Sequence, residues 1–516
     1  MFANLSLYLV TDPTPEILKG RDLCIVVEEA LKGGLQTLMY EIKMRVLIET
    51  ASKLHAITKT HGVPLIINDR VDVAVAVGAE GVHLGQDDMT IDTARKLLPD
   101  NAIIGISVSS VDEARKAVDQ GADYLGIGTV FPTPTKKDTK SIIGTAGTKE
   151  ILEAVGEMSR AVGSVAIGGI NLGNVQRVIF QSQAISKGLD GVAVVSAIMA
   201  ADDPKEVATE FNKLISILPP FAAIPAPPRP NEVSALLNDV PLVVRKMVKE
   251  HPLVHNMINF VAANFAANVA LAIGASPIMS PYGDEAPDLA LNGGALLINM
   301  GSLTSESVSH YLKATRAYNE GGNPVVYDPV GAAATQVRRA AVKQLMADGY
   351  FDLIKGNEGE IREVFGNSAG RQRGVDSGPS TLNNREKATL TRDLARRERN
   401  IVLLTGPVDY LSDGNRVIAI GNGHSFLGQV TGTGCALGTV TGCFLAAHRS
   451  DKLLAVLSGL LLYEIASENA AAKDYVRGPG SFVPALLDEL CVIREAVLKG
   501  DDSWFSGRAK IQQITL

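Results

Sequence analysis

VPLIINDRVDVAVAVGAEGVHLGQDD, residues 63–88, sets two short apolar runs (64–69 and 81–85) on either side of a helix-like segment. Polar residues, Asn68–Asp69 and Gln86–Asp88, close each run. Further runs occur on both sides: LYLVT (7–11), QTLMYE (36–41), AIIGIS (102–107), YLGIGTVF (124–131), SVAIGG (164–169) and GVAVVS (191–196). They are rich in Val, Ile and Leu, the composition of parallel strands buried on both faces. Segments such as SVDEARKAVDQGA (110–122) carry apolar residues every third or fourth position and stop at Gly, as helices do. Eight strand–helix units in about 215 residues predict a (β/α)8 barrel, with an open doubly wound sheet as the alternative. A barrel works at the C-terminal ends of its strands. Here those ends carry Asp12, Asn68–Asp69, Gln86–Asp88, Ser107, Thr133–Lys136, Gly168–Gly169 and Ser196.

The barrel reading leaves more than half of the 516 residues to a second domain. ILPPFAAIPAPPRP (217–230) has six prolines in fourteen positions and reads as a semi-rigid linker between domains 1–216 and 231–516. The second domain shows an Asn-rich helix over 252–273, then ALLINMG (295–301), PVVYDPVG (324–331), DLIKGN (352–357), IVLLTG (401–406) and RVIAIGN (416–422). A Gly-rich turn, VTGTGC (430–435), opens a long helix of small residues, and the whole predicts a three-layer α/β/α domain.

Composition limits the function. Hydrophobic residues are 46% and charged residues 20%, which excludes a disordered chain. A net charge of −7 argues against broad nucleic-acid binding. Four scattered cysteines form neither a disulfide framework nor a zinc motif and suit a reducing, cytoplasmic setting. The N-terminus shows no signal peptide, and the uncharged stretch 252–283 carries too many Asn amides for a membrane span.

Asp69 and Asp88 end neighbouring strands, so they either hold one Mg2+ or cap the helices that follow. FPTPTKKD (131–138) offers two Thr hydroxyls and Lys136, and IGGIN (167–171) and VSAI (195–198) end the last two strands, the place where many barrels bind phosphate. In the second half, GTGC before a helix is either an anion site or a packing turn. It lacks the GxxxxGK[ST] spacing of a P-loop. His255 reads as a residue that positions a pocket or a subunit contact, and His424 as part of a polar turn.

YLVTD, 63–88, YLGIGTVFPTPTKKD, VAIGGI and GVAVVSAI together resemble the thiamine phosphate synthase family over nearly all of residues 1–215. The resemblance implies joining of 4-amino-2-methyl-5-pyrimidinylmethyl diphosphate to 4-methyl-5-(2-phosphoethyl)thiazole. It places Asp69 and Asp88 on Mg2+. Lys43, Asn68, Ser107 and Lys136 fall on the pyrimidine diphosphate, with Lys136 catalytic, and Thr133, Thr135, Gly169, Val195 and Ser196 on the thiazole phosphate. One run departs: the family's Gln-x-Arg-Glu-Lys stands here as MYEIK (39–43), with Glu41 in place of the Arg. This implies a weakened grip on the diphosphate, and the alternative of a degenerate, ligand-binding or regulatory barrel.

DPVG (328–331), KGNEGEI (355–361) and TGPVDYLSDG (405–414) resemble the ribokinase-like set, and GASPIM (274–279) with GTGC points to hydroxyethylthiazole kinase. This implies ATP-dependent phosphorylation of 4-methyl-5-(2-hydroxyethyl)thiazole. Met279 and Gly432 would line the thiazole site, Lys355 and Thr405 would contact ATP, and Asp328 and Glu360 would act on Mg–ATP. Cys435, where relatives carry Asp, would lie catalytically beside the accepting hydroxyl. The kinase product is the synthase substrate, and such a fusion is similar to the bifunctional thiamine-biosynthesis family of fungi. That family resemblance implies small-molecule substrates, no nucleic-acid or membrane partner, and a homo-oligomer on a trimeric kinase core.

Overall fold

The computed structural model describes residues 4–40, 47–133, 142–222, 233–304, 306–366 and 381–516. Its contacts divide into two compact units, Met1–Pro219 and Pro220–Leu516.

In the first unit, eight parallel strands close in sequence order: β1 (Leu7–Val10), β2 (Thr37–Tyr40), β3 (Leu65–Asn68), β4 (Gly81–Leu84), β5 (Ile103–Val108), β6 (Tyr124–Gly128), β7 (Gly163–Ile167) and β8 (Gly191–Val194). β8 pairs with β1, so no edge remains. Each strand matches one of the eight apolar runs, and the barrel replaces the open-sheet alternative. Tyr8, Val10, Met39, Ile66, Tyr124, Val165 and Ala193 pack inside it. The outer helices start where the sequence supplies caps: Asp22 accepts from Cys24 N and Ile25 N, and Ser110 from Glu113 N. All eight C-terminal strand ends therefore share one rim.

The second unit is built on a nine-stranded sheet: β9 (Leu253–Met257), β10 (Ser276–Ile278), β11 (Ala295–Asn299), β12 (Val325–Asp328), β13 (Leu353–Asn357), β14 (Ile401–Thr405), β15 (Asp409–Ser412), β16 (Val417–Ile420) and β17 (Ile511–Gln513). The order is β10-β9-β11-β12-β13-β14-β15-β16-β17. The first six in that order are parallel, and β15–β17 continue antiparallel. Side chains alternate between faces. Leu297, Val326 and Leu403 join one core with helices Ala263–Ile273, Thr433–Ala447, Lys452–Ala471 and Pro479–Leu498. Leu296, Ile298, Tyr327 and Leu404 join the other with Ser307–Glu320, Gln336–Asp348 and Asn384–Glu398. Three layers result, as expected.

The predicted helix over 252–273 is a correction. Its first part is strand β9, and the helix begins at Ala263. The amides explain why. Asn256 lies within β9 and accepts from the Thr439 hydroxyl at 2.7 Å, joining strand to helix. Asn259 accepts from Ala262 N at 3.0 Å in the turn before the helix. Helix Lys452–Ala471 is long and apolar enough to cross a membrane, but 89% of its apolar window is buried inside the unit.

The first part of the Pro-rich run is seated on the second unit. Phe221 is buried and stacks on Tyr350 with ring centroids 4.4 Å apart. Lys452 Nζ donates to Phe221 O at 3.1 Å. A fragment beginning at residue 231 would uncover Tyr350. Fragment 217–516 should therefore unfold at higher denaturant than 231–516, by about 2–4 kcal/mol for the buried ring and its stack. Urea titration of the two fragments checks this, and equal midpoints would contradict it.

Candidate active sites

The barrel rim gathers most of the predicted polar residues. Asp69 follows β3 with φ 62°, a left-handed conformation that Asp and Asn tolerate. Its N–H donates to His83 O at 2.8 Å, tying the β3 end to β4. Asp88 folds back so that Gly85 N donates to its Oδ2 at 2.6 Å. Partial burial, and then the neighbouring Asp88 charge, hold the Asp69 carboxyl above its ordinary range. Two crowded carboxylates with hard oxygen donors fit a divalent cation.

Asn68 ends β3 and Ser107 lies near the end of β5, both half-buried. Gln86 Nε2 donates to Ser107 O at 2.7 Å. Beyond β7, Gly168 and Gly169 have φ 103° and 67°. A Cβ on Gly169 would stand 2.8 Å from Phe131 Cβ and from Pro132 O, so the turn after β7 needs glycine to touch the loop leading to Thr133. Val195 and Ser196 follow the adjacent β8. Thr133, Gly169, Val195 and Ser196 are thus brought to one side of the rim. Lys43, Thr135 and Lys136, with Glu41, lie outside the described residues.

In the second unit, Asp328 ends β12 and Lys355 lies on β13. Both are buried, with Lys355 Nζ 3.2 Å from Asp328 Oδ1. Asn299 donates to Asp328 Oδ2 at 2.8 Å, Asn259 donates to Asn299 Oδ1 at 2.9 Å, and Asn259 Nδ2 is 3.3 Å from Cys435 Sγ. A Cβ on Gly434 would lie 4.0 Å from Lys355 Nζ, which places the ammonium under the GTGC turn. Glu360 sits in a capping box with Asn357 and accepts from Gly331 N and Asn357 N, both at 2.8 Å. Arg338 donates to Met300 O, Val330 O and Gly301 O, clamping the loops after β11 and β12.

Burial dominates the electrostatics. It pushes the Cys435 thiol up to about 11, with Asp328 adding to the rise and Lys355 and the two Asn amides opposing it. The lowered thiol that a helix N-terminus alone would give is not found. Burial, and then Asp328, raise Glu360 to about 7. Burial also raises Asp328, against the pull of Lys355.

Among the other predicted residues, Gly432 belongs to the same GTGC turn as Cys435. Thr405 ends β14 and pairs across to Asn357. Met279 follows edge strand β10, where His255 Nε2 is 3.0 Å from Ser280 O. Gly432 has φ 88°, and a Cβ there would stand 3.1 Å from Ala262 Cβ. His424 accepts from Phe426 N within a short turn. Sequence reasoning passed over Asn259, Asn299 and Arg338, and in the barrel Tyr8, His83 and Tyr124. The signal available for Asn299 was its place at the C-terminal end of a parallel strand.

The hydroxyethylthiazole kinase family model matches residues 244–496, and the thiamine monophosphate synthase model matches residues 7–198. A "Probable thiamine biosynthetic bifunctional enzyme" of Schizosaccharomyces pombe is 42% identical over 521 residues, covering 99% of this chain and 99% of the relative. The chain belongs to the family of thiamine biosynthetic bifunctional enzymes. A second member, the "Thiamine biosynthetic bifunctional enzyme" of Saccharomyces cerevisiae, is 35% identical over 94% of this chain and 95% of its own. A "Hydroxyethylthiazole kinase" of Moorella thermoacetica is 40% identical over 48% of this chain and 90% of its own. In this bifunctional enzyme the barrel is the thiamine monophosphate synthase domain and the three-layer unit is the hydroxyethylthiazole kinase domain, with ATP as co-substrate.

Proposed function

We propose that the two domains catalyse consecutive steps, each on the side chains assigned above, with Mg2+ at both sites. The kinase domain phosphorylates 4-methyl-5-(2-hydroxyethyl)thiazole. The barrel then joins the thiazole phosphate to 4-amino-2-methyl-5-pyrimidinylmethyl diphosphate and releases diphosphate. The observation that carries this reading is the buried Lys355–Asp328 pair beneath the GTGC turn, together with the crowded Asp69 and Asp88 on the other rim. Mg2+ held by Asp328 and Glu360, and by Asp69 and Asp88, would neutralise phosphate oxygens.

In the kinase domain, Met279 and Gly432 hold the thiazole so that its hydroxyl oxygen meets the γ-phosphorus. Lys355 and Thr405 orient ATP. The terminal P–O bond breaks toward ADP and the hydroxyl proton passes to an oxygen of the transferred phosphoryl group and on to solvent, while Lys355 and the N–H groups of the turn balance the moving charge. In the barrel, Asn68, Ser107, Lys43 and Lys136 hold the pyrimidine diphosphate. Its C–O bond breaks with the electron pair leaving on diphosphate. The thiazole nitrogen donates its pair to the freed methylene carbon, while Thr133, Thr135, Gly169, Val195 and Ser196 hold the thiazole phosphate. The enzyme works in the cytoplasm, as a homo-oligomer built on a trimeric kinase core.

Cys435 is a protonated thiol at neutral pH, so it lines the anion hole rather than serving as a resting base. Cys435→Ala should lower kinase kcat roughly tenfold, about the cost of one lost polar contact to the moving charge, and leave the ATP KM near the parent value. If Cys435 instead takes up the hydroxyl proton as the phosphoryl group transfers, Cys435→Asp should keep substantial activity, whereas an anion-hole contact alone predicts a loss at least as deep as that of Cys435→Ala, because a carboxylate repels the moving charge. Steady-state kinetics with hydroxyethylthiazole decides it, and an Ala variant as fast as the parent removes Cys435 from the mechanism.

A further inference from the structure

Four side chains form a hydrogen-bonded file through the interior of the barrel. The Tyr8 and Tyr124 hydroxyls are 2.7 Å apart. The Tyr124 hydroxyl is 2.8 Å from His83 Nδ1, and His83 Nε2 is 2.9 Å from Ser107 Oγ. Tyr8, Tyr124 and His83 are 1%, 2% and 7% exposed, while Ser107 is half-buried at the rim. Glycines make the room: a Cβ on Gly105 would collide with the Tyr124 ring, and one on Gly126 would stand 2.9 Å from His83 Cε1. Burial raises both phenols far above their ordinary range, so each keeps its proton.

Proton counting fixes the direction of the file. Each hydroxyl carries one proton, and so does a neutral imidazole. If Ser107 donated inward to His83 Nε2, then Nδ1–H would donate to Tyr124 and Tyr124 to Tyr8. The Tyr8 proton would then point into the barrel core, because Tyr124 is the hydrogen-bond partner of the Tyr8 hydroxyl among the described residues. A buried donor without an acceptor is disfavoured. The opposite direction satisfies every buried proton and leaves the surplus one at the rim, where a ligand or water accepts it.

We infer that the file runs outward: Tyr8 donates to Tyr124, Tyr124 to His83 Nδ1, and His83 Nε2–H to Ser107 Oγ. The Ser107 proton is thereby committed as a donor into the site, aimed at an anionic oxygen of the substrate. The last step rests on the proposed contact of Ser107 with the pyrimidine diphosphate. His83 is a positioning residue, because it acts through Ser107, and the two tyrosines fix its tautomer.

Two measurements test this on the full chain. Histidine-selective 15N NMR, with the His83 ring assigned by its loss in His83→Gln, should show Nε2 protonated and Nδ1 bare. A protonated Nδ1 overturns the inference. In synthase kinetics, Tyr124→Phe should lower kcat/KM for the pyrimidine diphosphate roughly tenfold, the scale of one lost hydrogen bond to a charged group. His83→Gln should stay within about threefold, since its amide N–H reaches Ser107 without the tyrosines. Adding Tyr124→Phe to His83→Gln should cost nothing more. An equal loss in both backgrounds makes Tyr124 a packing residue and overturns the relay. If Tyr124→Phe fails to fold, the tautomer in the unaltered chain still decides. A protonated Nε2 together with an unimpaired Ser107→Ala enzyme sustains the file and overturns instead the assignment of Ser107 to the diphosphate.

Discussion

Lys355→Met should lower kinase turnover by about 10²- to 10³-fold, the range found when one preorganised donor to a developing anion is removed. The same change should leave synthase turnover at the parent level. Lys355 and Asp328 are both buried, and Asn299 supplies the remaining contact to Asp328. Removing one partner of such a pair costs about 3–5 kcal/mol, because the other charge is left uncompensated in a medium of low dielectric. The kinase domain should therefore also unfold at lower temperature. Lys355→Arg separates the two effects: it keeps the charge and, if the site holds a guanidinium, restores activity. Kinetics on both half-reactions and thermal melts check both variants. A Met variant with intact kinase turnover would remove Lys355 from phosphoryl transfer.

The second large effect belongs to the barrel. Asp69→Asn should lower synthase kcat/KM by about 10² or more, the equivalent of roughly 3 kcal/mol of charge stabilisation at the departing diphosphate, and raise the Mg2+ concentration needed for half-maximal rate. Asn is the informative replacement. It accepts the left-handed backbone at φ 62° and keeps the shape, so charge is the main thing lost. The Asp69 carboxyl is held above its ordinary range in the folded chain, so its ionised form is disfavoured by folding at neutral pH. Neutralising it should leave the melting temperature unchanged or slightly higher. Asp69→Ala, by contrast, adds backbone strain. An Asn variant with parent kinetics and parent Mg2+ dependence would mean that Asp69 caps the following turn and nothing more.

How far these sites were legible depended on how each residue signals itself. The barrel was readable because parallel strands buried on both faces are continuous apolar runs, and all eight occur at regular spacing. Asp69 and Asp88 stood out as polar residues closing such runs, whereas Asp328 and Lys355 were named only through the family resemblance, Lys355 lying in the middle of β13. β9 was not: LVHNM mixes apolar and amide residues, and its Asn256 reaches the Thr439 hydroxyl on a distant helix. The same holds for Asn259, which meets Asn299 and Cys435 across 40 and 176 positions of chain. Tyr8, His83 and Tyr124 sit inside apolar runs, where an inward-facing polar residue looks like one more core position. Gly105 and Gly126, which open space for them, read as ordinary strand glycines until the barrel closes. The Cys435 thiol shows a related limit. A helix N-terminus alone lowers a thiol, whereas its burial beside Asp328 raises it.

The most direct test is product analysis of the full chain supplied with hydroxyethylthiazole, ATP, Mg2+ and 4-amino-2-methyl-5-pyrimidinylmethyl diphosphate. Consecutive catalysis predicts thiazole phosphate rising and then falling, with thiamine phosphate, ADP and diphosphate in equal amounts once it is consumed. Omitting the pyrimidine diphosphate should stop the reaction at thiazole phosphate. Thiazole phosphate that accumulates without any thiamine phosphate, with all four components present and the chain folded, would contradict an active synthase in the barrel.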